Sequence, residues 1–103
     1  MQLCANAQLT DDVLTVAFEG EITMATLPVL NDLLSRHLQE HPDATFSLNF
    51  EAVHAVDDAG LGVLLGFVGK LRAARIPCVV VCSQPRIRER LASTGFDTVV
   101  PVI

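Results

Sequence analysis

Residues Pro77 to Cys82 read Pro-Cys-Val-Val-Val-Cys, an unbroken apolar run with three β-branched valines at its centre. Such a strand has no polar face to turn toward water, so it is expected in a sheet covered on both faces. Covering a sheet requires helices, and the rest of the chain supplies them. From Thr26 to His41, Leu27, Leu30, Leu34 and Leu38 recur at intervals of three and four, the apolar stripe of one helix. Pro28 fits its first turn, where a missing N–H loses no bond, and His41-Pro42-Asp43 stops it. A second helix is expected over Ala59 to Ala74, with Leu61, Leu64, Leu65, Val68 and Leu71 on one face. A third opens at Ser83 or Gln84 before Pro85 and ends at Gly95.

The remaining segments read as strands. Leu3, Ala5 and Ala7 alternate with polar residues, and Val13 to Glu19 alternates more strongly. Thr10-Asp11-Asp12 supplies a turn between them, which predicts a hairpin ended by Gly20-Glu21. Phe46 to Phe50 is a third strand, followed by a connecting loop from Glu51 to Asp58. Val99 to Ile103 is expected as a last strand at a sheet edge, because Pro101 lacks a donor. The order β-β-α-β-α-β-α-β predicts an α/β fold, a mixed and mostly parallel sheet of about five strands with helices packed on it. With 103 residues, half of them apolar, the chain is expected to form a single domain over 1–103. A domain of this size buries roughly two thirds of its unfolded surface, so no disulfide or metal is needed to hold the core.

Composition excludes several functions. Seven Lys and Arg against twelve Asp and Glu leave a net charge of −5, the wrong sign for gripping nucleic acid or an anionic membrane. Five Phe without Trp or Tyr make stacking platforms scarce. No basic, apolar leader opens the chain, and the longest apolar run, Ala59 to Val68, is about half a membrane span. A soluble cytoplasmic protein, with no direct membrane insertion, is the expectation. Cys78 and Cys82, four apart on a strand, would lie roughly 13 Å from each other, beyond disulfide reach. With Cys4 they are read as small apolar residues, and their spacing from His37, His41 and His54 matches no zinc site. No serine has the elbow glycines of a hydrolase nucleophile, and Gly60-Leu61-Gly62 lacks both the third glycine of a dinucleotide fingerprint and the lysine of a phosphate loop. Catalytic residues, a metal site and a cofactor are therefore not expected.

One segment stands apart. Val56-Asp57-Asp58-Ala59-Gly60-Leu61-Gly62 places two carboxylates before a glycine-containing apolar helix. Aspartate there caps the helix and complements its dipole. The glycines leave the first turn with little side-chain cover, open to a partner or an anion. Opposite the core stripe of the same helix lie Val63 and Phe67 with Gly62, Gly66 and Gly69, a second apolar face that either the domain or another protein must cover. A second copy of the chain, giving a homodimer, is one such cover.

These residues carry a resemblance. Phe18-Glu19-Gly20-Glu21-Ile22, a first helix with an early proline, Ser47-Leu48-Asn49-Phe50, and Val56 to Leu65 together resemble the STAS domain of anti-sigma factor antagonists. Val79 to Val81 and the ending Arg88 to Phe96 fit the same frame, so the resemblance covers nearly the whole chain. In that family the loop usually reads Asp-Ser-Ser-Gly-Leu-Gly, and a partner kinase that is also an anti-sigma factor phosphorylates the second serine. The unphosphorylated antagonist binds the kinase; the phosphorylated one releases it. Carried over by position, Asp57 matches the family aspartate, Asp58 the first serine and Ala59 the phosphoacceptor, while Gly60, Leu61 and Gly62 match directly. Thr23 and Asn49 stand where aspartates are usual.

Alanine at 59 has no hydroxyl, so the usual switch, which adds about −1.5 to −2 charges at a docking surface, cannot operate there. Asp58 is open to two readings, a built-in phosphate mimic or a helix cap. Thr23 and Thr26 are other hydroxyls expected near the same surface. The resemblance implies a module that docks an anti-sigma or switch kinase. Asp57, Asp58, Ala59, Gly60, Gly62, Val63 and Phe67, with Glu21 and Thr23, would form the surface. Regulation would come from something else, such as competition by a phosphorylatable antagonist. STAS proteins also serve as structural subunits of membrane transport complexes, such as phospholipid-transport ABC systems, where the same helix end docks on the transporter ATPase without a phosphorylation cycle.

Overall fold

The computed structural model describes residues 2–103. Strands β1 (Leu3–Thr10) and β2 (Val13–Ile22) form an antiparallel hairpin with unbroken pairing, from Leu3 opposite Gly20 to Thr10 opposite Val13. Asp11 and Asp12 turn the chain with φ of 50° and 67°, so both loop residues are left-handed. That is the primed turn whose twist matches the strands it joins. A 3₁₀ turn (Met24–Thr26) leads into α1 (Leu27–Glu40), which crosses to β3 (Thr45–Val56), parallel to β2. Helix α2 (Asp58–Ala73) crosses to β4 (Cys78–Val81), parallel to β3. Helices α3 (Pro85–Ser93) and α4 (Phe96–Val99) end the described chain, and Val102 adds a single parallel bridge beside Val80. The sheet is four-stranded, in the order β1-β2-β3-β4. The expected mixed, mostly parallel α/β domain is what forms.

Burial of the sheet is one-sided. Leu14, Val16 and Phe18 of β2, Phe46, Leu48 and Phe50 of β3, and Val80 of β4 are fully buried. Their alternates, Thr15, Ala17, Ser47, Asn49, Val79 and Val81, are only half-buried. Helical leucines meet the buried face: Leu30 and Leu34 from α1, Leu61, Leu64 and Leu71 from α2, and Leu91 from α3. Phe18 and Phe50 meet edge to face at 5.7 Å, as do Phe46 and Phe67 at 5.8 Å. Two sheet-covering layers were expected from the valine run, and one is found. β-branched residues suit a pleated, partly exposed surface as well as a closed one, so an apolar run does not count faces.

Three boundaries also differ. β2 does not stop at Gly20-Glu21 but continues to Ile22, because Gly20 adopts φ 118° and admits the main chain of Gln2 where a Cβ would stand. The expected loop Glu51 to Asp58 is strand as far as Val56. Its pairing with β2 slips twice, between Ala17 and Glu19 and between Gly20 and Glu21, each time leaving an extra residue on β3. Those bulges break the two-residue alternation by which a strand is recognised. At the other end, Val99 closes α4, and the last strand shrinks to the Val102 bridge, where the Pro101 carbonyl accepts the Val80 N–H at 2.9 Å.

Phe67 is the largest revision. It was expected on the outer face of the second helix, yet it is 6% exposed and packs on Phe46. Helix α2 turns a wide arc inward, with Leu64, Phe67, Val68 and Leu71 all buried, and of the expected second apolar face only Gly62, Gly66, Gly69 and half-buried Val63 remain toward the outside.

Candidate functional site: the loop into helix α2

The site is built where β2 and β3 end side by side. Ile22 pairs with Val56, and the Asp57 N–H donates to the Ile22 carbonyl at 3.1 Å. Both chains then turn away together, β2 into Thr23 and β3 into α2. Gly60 makes this crossing possible: a Cβ there would strike the Ile22 carbonyl and stand 2.7 Å from its Cγ2. The glycine is a packing requirement, and it is buried.

Asp57 ties the two turns into one unit. Its Oδ1 accepts from Gly60 N–H at 2.8 Å as the N-cap of α2, and its Oδ2 accepts from Met24 N–H at 2.9 Å. These two main-chain donors, Gly60 first and Met24 second, hold its carboxyl below the ordinary value of 3.8. Thr26 locks the other side. Its hydroxyl accepts from Thr23 N–H at 3.0 Å and lies 2.8 Å from the Glu21 carbonyl, which it reaches as a donor. It is the buried polar residue of the described core, so its role is that of an internal tie.

Asp58 does not cap the helix. Its Oδ1 pairs with Arg90 at 2.7 Å, and the Arg90 Nε donates to the Val56 carbonyl at 2.9 Å. Arg90 thus reaches from α3 to clamp the end of β3 and the first residue of α2 together. Ala59 is half-buried, Gly62 is open with nothing near its missing Cβ, and Val63 lines a shallow groove between α1 and α2 with Leu34, Gly66 and Phe67. Glu21 and Thr23 lie on the neighbouring turn, where Glu21 Oε2 and Thr23 Oγ1 are buried without a partner among the described residues.

The structure therefore brings Glu21, Thr23, Asp57, Asp58, Ala59, Gly60, Gly62 and Val63 to one end of the molecule. Phe67 only floors the adjacent groove. Two contributors were missed in the sequence. Met24 is 70% exposed beside the Asp57 cap, and an apolar residue in a turn was its only signal. Arg90 gives no local signal, because its partners lie more than thirty residues away in sequence.

A model of the STAS domain matches residues 5–103. An anti-sigma factor antagonist from Mycobacterium paratuberculosis is 25% identical; the match covers 98% of this chain and 85% of that one, with a TM-score of 0.87. The Bacillus cell-fate determinant SpoIIAA in its phosphorylated form is 18% identical over 97% of this chain and 91% of its own, with a TM-score of 0.70. The anti-sigma factor antagonist SpoIIAA in its unphosphorylated form is 19% identical over 86% and 82%, with a TM-score of 0.67. The latter two share the fold.

Proposed function

The chain belongs to the STAS domain family, and from that membership we propose that it works by binding another protein, in the manner of an anti-sigma factor antagonist. The supporting observation is the rigid, open start of α2. Asp57, Gly60 and Arg90 fix the backbone from three directions, while Asp58, Ala59, Gly62 and Val63 keep a flat, weakly covered surface beside exposed Met24. A preorganised surface loses little freedom on docking, which favours a specific partner. The likeness to the mycobacterial anti-sigma factor antagonist supports an anti-sigma factor as that partner, and the family resemblance makes it a kinase-like one.

Ala59 makes this a module held in its binding-competent state. Asp58 does not counterfeit a phosphate in this reading, since its single charge is shared with the Arg90 guanidinium. Phosphate at this position would add about −1.5 to −2 charges and oppose docking; its absence leaves control to competition for the partner.

Affinity capture of the full chain from native extract, with identification of the bound proteins, tests this. A kinase-like anti-sigma factor is expected, bound by the wild type and lost by Gly62→Arg, a substitution that enters open space. Incubation with that kinase and ATP should leave the intact mass of this chain unchanged. A transporter ATPase as the specific partner would replace this reading with that of a structural subunit. Phosphate on the chain would overturn the locked state.

A further inference from the structure

Strand β1 is an edge that lacks three of the usual protections. Its eight residues, Leu-Cys-Ala-Asn-Ala-Gln-Leu-Thr, include no charge and no proline, and its pairing with β2 runs without a bulge. Natural edge strands are blunted by one of these devices, because a free row of N–H and C=O groups recruits another strand. The opposite edge of the sheet is shielded by the Val102 bridge; β1 has no such neighbour among the described residues.

The hydrogen-bond parity says which groups are free. Glu21 N–H donates to the Gln2 carbonyl, and the two-residue turn closes on Thr10 and Val13. Even-numbered residues of β1 therefore point their main-chain groups at β2, and Leu3, Ala5, Ala7 and Leu9 point theirs outward. We propose that β1 pairs antiparallel with β1 of a second copy, joining two four-stranded sheets into one of eight strands with Asn6 on the two-fold axis.

Self-complementarity selects this register. Only with Leu3 opposite Leu9 and Ala5 opposite Ala7 are all four outward residues of both copies bonded at once, and the two-fold then falls on Asn6. Leu9, 52% exposed in the single chain, gains Leu3 of the other copy on the helix-covered side. On the open side, Asn6 faces Asn6, and Cys4 faces Gln8. Each copy carries a net −5, yet this strand brings no like charges together. An isologous contact of this type closes at two copies instead of growing into a fibre. The surface is separate from the loop into α2, so it stands or falls apart from the partner reading.

Sedimentation equilibrium of the full chain should show a concentration-dependent dimer. Asn6→Lys, which sets two ammonium groups face to face on the axis, should give a monomer with an unchanged circular dichroism spectrum. In a Cys4→Ser background, Asn6→Cys should form a symmetric disulfide under mild oxidation. A non-hydrogen-bonded antiparallel pair holds its Cα atoms about 4.5 Å apart, within disulfide reach. Gln8→Cys in the same background should not cross-link. A wild type that stays monomeric overturns the proposal, as does a dimer that survives Asn6→Lys or cross-links through residue 8 instead of 6. Should Asn6→Lys fail to fold, the cysteine pair reads the same register.

Discussion

Asp57 shows how one carboxylate can organise two segments. It accepts from Gly60 and from Met24, so the cap of α2 and the turn after β2 are set by the same side chain. Its folded-state pKa is lowered, so the stabilisation is fully present above the ordinary value of 3.8 and is lost as the pH falls through the lowered folded value. Denaturation in urea across about pH 2–5, from roughly two units below to one unit above the ordinary Asp value, should show the wild type losing stability more steeply than Asp57→Asn. The amide keeps an oxygen for capping but does not titrate. Equal slopes would mean that other carboxylates carry the acid sensitivity. Neighbouring Asp58 is chemically identical and does something else, because Arg90 claims it. Adjacent aspartates in the sequence offered no means of assigning these roles. Which one faces the helix amides depends on where β3 ends.

The hairpin of β1 and β2 is the element most easily improved. Asp11 and Asp12 both sit at positive φ, a conformation that costs an L-residue about 1–2 kcal/mol and that aspartate tolerates better than most. Replacing the pair by Asn-Gly should stabilise the domain by about 1 kcal/mol, seen as a higher urea midpoint with an unchanged slope. The Asp12 carbonyl, which accepts from Thr45 N–H at 2.8 Å, is a main-chain group and survives the change. A lower midpoint would show that the turn carboxylates contribute more than their backbone strain costs. This turn was legible from its residues. The second half of β3 was not, because its first bulge shifts Val53 out of alternation with Phe46, Leu48 and Phe50 and its second returns Val56 to it.

At the scale of the molecule, the arc of α2 that faces inward decides what can be altered. Phe67 fills the space under Phe46 and is nearly fully buried, so Phe67→Ala should cost about 3–5 kcal/mol in chemical denaturation. A domain of this size has about 5–15 kcal/mol in hand, so Phe67→Asp, which buries an unpaired charge, should leave the chain largely unfolded. A cooperative wild-type melt for Phe67→Asp would place that ring outside the core. A charge at Phe67 therefore tests folding and not docking, and Gly62, whose missing Cβ faces open space, offers the clean alternative. The helical stripe alone left this open. A helix apolar around most of its circumference does not announce how wide an arc the sheet and α1 will cover.

Local chemistry was sufficient for the order of elements, the two-aspartate turn, the proline-led helices and the Asp57–Gly62 loop on which the family resemblance was most specific. Each rests on neighbours a few residues apart, where periodicity and capping act directly. Long-range placement settled the rest. Gly60 matters because β2 ends against it, Arg90 because α3 returns to the end of β3, and Phe67 because α2 leans inward over Phe46. These contacts join residues more than twenty positions apart, and no local pattern encodes them. They come from packing three helices onto one face of a twisted sheet, where close fit and satisfied hydrogen bonds select one arrangement.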